Sequence, residues 1–221
     1  MSVEATVEYQ GGGLSYRRRM NTERNMKVAI TGGIGSGKSY VCQLLQQQGI
    51  EIYDCDKAAK ELMNNDQTLR KQLISLIGEQ AYIGKKLNKT VVASFLLASP
   101  ENTKALNAMV HPAVADHFVR SGYQWMECAI LFESGFDRLV DRVVAVTAPR
   151  HVRVERIMKR DQITAEKAEE RIEKQWPQEK VEQMSHYTIC NDGQQPLDIQ
   201  LKRLLQQLKM DKKQWEQKKE E

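Results

Sequence analysis

The sequence lacks several features that would assign it to common classes of protein. No apolar run approaches the roughly 20 residues that a membrane-spanning helix needs, and no secretory signal is recognisable near the first methionine. The four cysteines are scattered without a C-x₂-C pair, so neither a zinc site nor a dithiol redox site is indicated. Aromatic residues, at 6%, do not alternate with a basic stripe, which argues against a nucleic-acid-binding protein.

The composition is otherwise that of a globular protein, with 41% hydrophobic and 28% charged residues in a chain of 221. The cysteines lie in or beside apolar segments and predict buried free thiols in a reducing, cytoplasmic compartment. The net charge of +4 suits an enzyme of polyanionic small molecules and requires neither nucleic acid nor a membrane. For residues 1–25 we expect a disordered extension or leader, and for residues 210–221 a charged tail.

The stretch Gly32-Gly33-Ile34-Gly35-Ser36-Gly37-Lys38-Ser39 fits the phosphate-binding pattern G-x-x-x-x-G-K-[ST]. It lies between an apolar segment that predicts a strand and an amphipathic segment that predicts a helix. Glycines let backbone N–H groups converge on phosphate oxygens, and the helix N-terminus adds a positive potential. The pattern therefore predicts that Lys38 reaches the β- and γ-phosphates of a nucleotide, and that the Ser39 hydroxyl ligates Mg²⁺.

Predicted strands and helices alternate along the chain, which favours an α/β fold whose parallel sheet is covered by helices. The predicted strands are 27–31, 51–54, 126–132, 142–147 and 187–190. The predicted helices are 38–48, 56–64, 67–77, 90–98, 102–110, 112–121, 150–160, 164–175, 178–184 and 195–209. Residues 56–121 contain no clear strand and predict a helical insertion. His111, in the predicted turn before Pro112, suits a structural role.

Acidic residues occupy the carboxyl ends of two predicted strands, the edge at which open α/β sheets bind ligands. Asp54 and Asp56 lie at the end of strand 51–54. They could hold Mg²⁺ through water or take a proton from a substrate hydroxyl; alternatively, Asp56 caps the following helix. Glu133 ends the predicted strand 126–132, either as an acid near the metal or as a solvated residue.

Basic side chains form a stripe on the predicted helix 150–160. Arg153, Arg156 and Arg160 share one face, and guanidinium groups bind phosphate oxygens bidentately; the alternative is a solvated basic face. On a charged segment that could close as a lid, the stripe favours contact with phosphate. Asn191-Asp192-Gly193 follows the last predicted strand, either as a simple turn or as a loop near a nucleotide base.

From Met26 to about Leu208 the chain resembles the dephospho-CoA kinases, the P-loop kinases that complete coenzyme A biosynthesis. The matching motifs are T-G-G-I-G-S-G-K-S at 31–39, D-C-D at 54–56, L-N-A-M-V-H-P at 106–112, I-L-F-E at 130–133, R-x-x-x-R-D at 156–161, Gln175 and I-C-N-D-G at 189–193. The resemblance implies Mg²⁺-dependent transfer of the ATP γ-phosphoryl group to the ribose 3′-hydroxyl of dephospho-CoA. It also implies a nucleotide-binding core of 26–55, 122–150 and 186–209, a helical substrate domain of 56–121 and a lid of 151–185.

The same resemblance implies roles for individual residues. Catalytic roles fall to Asp56 as the general base, Lys38, and Arg160 near the phosphates. The implied nucleotide-binding residues are Gly33, Gly35, Ser36, Gly37, Lys38, Ser39, Tyr40, Asn191 and Gly193. The implied substrate-binding residues are Asp54, Asp56, Lys60, His111 and Glu133. Tyr40, Lys60 and Ala129 replace the Thr, Arg and Pro that are usual in the family.

Other functions share the phosphate-binding motif. One alternative is another P-loop kinase of nucleosides or nucleotides. A second is a P-loop GTPase switch, although the chain contains neither an N-K-x-D nor a D-x-x-G motif. We expect small-molecule partners only, with the protein a monomer or a weak homo-oligomer.

Overall fold

A computed structural model describes the backbone of residues 7–10 and 13–16 and the whole of residues 25–217. The chain divides into two compact units, Met1–Arg18 with Asp54–Gly122, and Arg19–Tyr53 with Tyr123–Glu221. The remaining residues of 1–24, where a disordered extension or leader is predicted, lie outside the described residues. Of the predicted charged tail, residues 210–217 continue the last helix.

Within the described residues, the strands are Val7–Gln10 (β1), Gly13–Tyr16 (β2), Val28–Thr31 (β3), Ile52–Asp54 (β4), Tyr82–Ile83 (β5), Lys86–Leu87 (β6), Trp125–Glu127 (β7), Arg142–Thr147 (β8) and Tyr187–Cys190 (β9). The α-helices of the same residues are Lys38–Gln46 (α1), Cys55–Asn65 (α2), Gln67–Ile77 (α3), Lys89–Ala98 (α4), Pro100–Arg120 (α5), Arg150–Asp161 (α6), Ala165–Glu173 (α7), Gln178–Met184 (α8) and Leu197–Gln217 (α9). No described helix is both long and apolar enough to cross a membrane.

The main sheet has the strand order β4-β7-β3-β8-β9, and β3 pairs in parallel with β7 and β8. The predicted α/β fold with a parallel sheet is confirmed. Apolar side chains from β3, β8 and β9 pack with those of α1 and α9, because strands covered by helices bury nearly continuous apolar runs. The central strand β3 is fully buried and leads directly into the glycine-rich stretch.

The predicted strand 126–132 is wrong beyond its first residues. Strand β7 ends at Glu127, and residues 129–135 form successive turns. The Ser134 N–H and Oγ donate to the carbonyls of Ile130 and Leu131, at 2.9 and 3.1 Å. Leu131 is fully buried, so the apolar run fills the core from a turn, and an apolar run alone does not distinguish a strand from a buried turn.

The unit that contains Asp54–Gly122 is called the helical unit. In it, the two predicted helices 102–110 and 112–121 are one helix, α5. Pro112 cannot donate a hydrogen bond to the preceding turn, which costs about 3 kcal/mol in a helix interior. Buried side chains repeat every four residues on either side of Pro112: Leu106, Val110, Val114 and Phe118. Helix α5 packs against α2, α3 and α4, and burial of about 1.5–3 kcal/mol per large side chain outweighs the cost of proline.

Candidate phosphate-binding site

The predicted phosphate loop connects β3 to α1. Gly35 and Gly37 have φ angles of 81° and 89°, in the left-handed region that favours glycine. Because Gly37 is the N-cap of α1, the helix presents its first N–H groups to the loop. The Lys38 side chain is buried, and its Nζ donates to the Gly32 carbonyl at 2.8 Å. The ammonium group therefore lies against the loop, where it can meet the phosphates of a nucleotide.

Arg153 on α6 is a buried cation beside this loop. Its side chain is 4% exposed, and its Nε donates to the Ile34 carbonyl at 2.9 Å. A Cβ added to Gly33 would lie 2.9 Å from the Arg153 Cζ, so the missing side chain at Gly33 makes room for the guanidinium. Burial, and secondly the charge of Arg150, lower the pKa of Arg153. An anion bound at the loop would stabilise this charge.

Arg156 and Asn191 bind the next carbonyls of the loop. Arg156 Nη1 donates to the Gly35 and Ser36 carbonyls, each at 3.3 Å, and Asn191 Nδ2 donates to the Ser36 carbonyl at 3.0 Å. The carbonyls on this side of the loop thus face protein donors. The buried Ser36 Oγ has no hydrogen-bond partner within the described residues. A phosphate oxygen in the loop would supply such a partner, so the loop fits a nucleotide phosphate.

Arg160, the third residue of the stripe, has different contacts. Its Nε donates to Asp161 Oδ1 at 2.7 Å, and Arg171 forms an ion pair with the same carboxylate. Arg160 holds the pKa of Asp161 below its usual value, and burial opposes this shift. Asp161 therefore links α6 to α7, with Arg160 largely exposed at the end of α6. The role of Arg160 near the phosphates remains a prediction.

Glu127 is a candidate site residue that the sequence patterns did not indicate. Glu127, not Glu133, is the acid at the carboxyl end of β7, and it pairs in register with Ile30 of β3. The Ser39 Oγ donates to Glu127 Oε1 at 3.3 Å. A hydroxyl and a carboxylate together are hard oxygen ligands of the kind that Mg²⁺ prefers. The signal in the sequence is Met126-Glu127, an apolar residue followed by an acid, hidden by the longer apolar run after it.

The predicted acids of the helical unit have separate local roles. Asp54, not Asp56, caps α2, because its Oδ1 accepts the Lys57 N–H at 2.8 Å. Asp56 lies exposed in the first turn of α2, and Lys60 lies exposed one turn later. His111 lies within α5, and burial lowers its pKa. Substrate binding by these residues, and the base role of Asp56, remain predictions.

The remaining predicted residues lie near the ends of α1, β7 and β9. Tyr40, in the first turn of α1, is 54% exposed. Glu133 is exposed in the turn after β7. Gly193 has a φ of 83° and follows Asp192, whose Oδ1 accepts the N–H groups of two succeeding residues. A contact of this turn with adenine remains a prediction.

Residues 26–216 match the family model described as dephospho-CoA kinase. A dephospho-CoA kinase of Bacteroides fragilis is 40% identical over 191 residues, which cover 81% of this chain and 91% of the relative. One from Chlorobaculum tepidum is 38% identical over 188 residues, covering 79% of this chain and 90% of the relative.

Solved structures share the fold. The protein TT1252 from Thermus thermophilus superimposes with a TM-score of 0.73 at 30% identity, covering 84% of this chain and 99% of that one. A dephospho-CoA kinase from Campylobacter jejuni gives a TM-score of 0.57 at 18% identity, over 85% of this chain and 97% of that one. At that identity the second likeness supports the fold alone.

Proposed function

Because the chain belongs to the dephospho-CoA kinase family, we propose that it transfers the ATP γ-phosphoryl group to the 3′-hydroxyl of dephospho-CoA, giving CoA and ADP. The observation that carries the donor half of this proposal is the loop after β3. Lys38 lies against its carbonyls, the Ser36 hydroxyl is unpartnered within the described residues, and α1 begins at its end. Family membership, rather than this geometry, identifies the acceptor.

Positive charge near the loop accounts for how the transferred group would be stabilised. Phosphoryl transfer spreads negative charge over the phosphoryl oxygens, and enzymes accelerate it mainly by positioning and electrostatic stabilisation. Lys38 and the N–H groups at the start of α1 would bind the β- and γ-phosphates. Arg153 is buried 2.9 Å from the Ile34 carbonyl and would add its charge from the lid side. Arg160 would approach the phosphates after releasing Asp161.

Ser39 and Glu127 are the residues that we propose for magnesium. Their side-chain oxygens lie 3.3 Å apart at the end of the loop, close enough to share one cation or one of its waters. The ion would neutralise phosphate charge in the bound nucleotide. The hydrogen bond from Ser39 to Glu127 would hold the hydroxyl with its lone pairs free for the ion.

The acceptor side is proposed for the helical unit. Asp56 would accept the proton of the attacking hydroxyl, since it is exposed and carries no capping bond. Asp54, Lys60 and His111 of this unit would contact the acceptor. In the other unit, the family resemblance implies an acceptor contact for Glu133 and an adenine contact for Asn191 and Gly193. A groove of about 310 Å³, whose walls include Leu69, Met109 and Pro112, is mostly apolar and suits the aliphatic part of a pantetheine arm.

A coupled ADP-release assay tests the proposal directly. With ATP, Mg²⁺ and dephospho-CoA, the protein should release ADP in amounts equal to the CoA formed, and Lys38→Ala should lower kcat by about 10²–10³-fold. A panel of nucleosides and nucleoside monophosphates is the control for the rival kinase. Phosphorylation of one of them, without reaction on dephospho-CoA, would replace the proposed acceptor. Tight GTP binding without any acceptor reaction would favour a GTPase switch.

The proposed reaction needs only small molecules as partners. We expect a cytoplasmic protein that is a monomer or a weak homo-oligomer and that binds no nucleic acid. Sedimentation at several concentrations measures the oligomeric state. A gel shift with single- and double-stranded DNA at low salt checks the last expectation, because binding through phosphates alone would appear there and disappear as salt rises.

A further inference from the structure

Ile34, at the tip of the phosphate loop, contacts the lid through its backbone and its side chain. Its N–H donates to Gln175 Oε1 at 2.7 Å, and its carbonyl accepts from Arg153 Nε at 2.9 Å. Its side chain packs against a small apolar cluster built by α6 and α7, with Ile157, Ala168 and Ile172 at its centre. One loop residue is therefore part of the lid's own core. We call Ile34, Arg153 and Gln175 together the lid–loop contact.

The two hydrogen bonds fix two successive peptide planes. The Ile34 N–H belongs to the peptide that follows Gly33, and the Ile34 carbonyl belongs to the peptide that precedes Gly35. Glycine restricts neither plane, because it reaches most backbone conformations at little cost. Inside the loop, the Gly33 carbonyl accepts the Ser36 N–H at 3.2 Å and Lys38 Nζ at 3.4 Å, which holds one side of the first plane. Contacts from outside the loop hold its N–H side and the second plane. Arg153 holds the second plane through the Ile34 carbonyl, and Gln175 holds the N–H side of the first.

We propose that Gln175 is a positioning residue of the kinase, which holds the phosphate loop in its ATP-binding conformation through the Ile34 N–H. Gln175 lies just after α7, and its own N–H donates to the Ile172 carbonyl at 3.2 Å. The end of α7 therefore fixes where the side-chain oxygen points. Loss of that oxygen leaves the Ile34 N–H without its partner, so that the peptide between Gly33 and Ile34 is held only through the Gly33 carbonyl. This inference rests on the proposed binding of ATP at the loop.

The lid supplies a matched control at Gln178. Its Oε1 accepts the Ala148 N–H at 3.1 Å, so it also joins the lid segment to the backbone of the core. Ala148 follows β8 and does not belong to the phosphate loop. A general loosening of the lid would follow from loss of either glutamine. A specific effect on the loop would follow only from loss of Gln175.

The test compares Gln175→Met with Gln178→Met, because methionine keeps the length of the side chain and removes the acceptor. Hydrogen exchange of the Ile34 amide is measured without nucleotide, and MgATP binding is measured by calorimetry without an acceptor. We expect exchange at Ile34 to become at least about tenfold faster, and the Kd for MgATP to rise about tenfold, in Gln175→Met only. Gln175→Glu keeps an acceptor oxygen and should retain slow exchange at Ile34.

Several outcomes would overturn the proposal. One is a Gln175→Met variant whose Ile34 amide exchange rate and MgATP Kd both lie within about twofold of the wild-type values. Another is an equal loss of affinity in Gln178→Met, and a third is fast exchange at Ile34 in a folded Gln175→Glu. If Gln175→Met does not fold, Gln175→Asn, whose amide is too short to reach Ile34, takes its place with the same expectations. Wild-type protein that binds no ATP, yet protects the Ile34 amide, would contradict the proposed function and leave the lid–loop contact intact.

Discussion

Two glycines with nearly the same φ angle allow the packing of the loop against α6 to be tested. Gly35 has a φ of 81° and Gly49, just after α1, has a φ of 83°. A Cβ on Gly35 would lie 2.7 Å from the Arg153 carbonyl oxygen and 3.0 Å from its Cα. A Cβ on Gly49 would meet nothing within 4 Å. Replacement by alanine therefore places a side chain at a positive φ at both sites and causes a steric clash only at Gly35.

The expected losses of stability have two causes, which are the positive φ at both glycines and the steric clash at Gly35. Left-handed backbone costs alanine about 1–2 kcal/mol, and for a chain of this size each kcal/mol lowers the melting temperature by about 2–4 °C. Gly49→Ala should show that loss and bind MgATP normally. Gly35→Ala should lose roughly 1–3 kcal/mol more from overpacking against a helix backbone that cannot rotate away. Because the clash is relieved only by moving the loop or α6, its affinity for MgATP should fall by about tenfold or more.

Thermal unfolding and calorimetric binding of MgATP, measured on both variants, test whether α6 packs against the loop. Equal melting temperatures for Gly35→Ala and Gly49→Ala, together with wild-type ATP affinity in both, would show that α6 does not lie against the loop in solution. The contact between Arg153 and Ile34 would then be absent in solution as well. A large loss of affinity in Gly49→Ala would show instead that strain at the end of α1 reaches the loop.

Three further predictions concern single side chains. Glu127→Gln should raise the Mg²⁺ concentration for half-maximal activity several-fold, whereas Glu133→Gln should leave it unchanged, as magnesium titrations of the ADP-release rate will show. Burial opposes ionisation of Asp211, but hydrogen bonds from Tyr187 and Arg142 outweigh it and lower its pKa; urea unfolding should show stability falling below about pH 4 in the wild type and less so in Asp211→Asn. Burial lowers the pKa of His111, so stability should fall as pH drops below about 6.5, and less in His111→Gln.

The parts of the site that depend on neighbouring residues could be predicted from the sequence. Glycines with positive φ, a lysine at the start of a helix and a buried strand before them form one local unit, and Gly35, Gly37 and Lys38 have the geometry that their spacing predicts. The fold class followed from the alternation of apolar segments. The sequence was sufficient for these features because the conformation of each residue is determined by its own backbone and its immediate neighbours.

Interactions between distant segments could not be predicted in the same way. The run 129–132 is apolar whether it forms a strand or a buried turn. For that reason the sequence predicted Glu133 as the acid at the strand end, whereas the strand ends at Glu127. Pro112 predicts a break in an isolated helix, but packing along α5 outweighs it. The sequence predicted the arginine stripe. It could not predict that Arg153 and Arg156 contact loop carbonyls while Arg160 contacts Asp161, because spacing within a helix does not determine where α6 lies.

Arg153 shows why α6 and the loop should respond to nucleotide together. Its guanidinium is almost fully buried and forms no ion pair within residues 25–217, although a buried charge is costly unless it is paired and hydrogen-bonded. Its bond to the Ile34 carbonyl satisfies one of five donor hydrogens. A polyanion at the loop would stabilise the charge and, through it, the position of α6. Nucleotide binding should therefore stabilise α6 as well as the loop, since a ligand shifts folding toward the state that binds it.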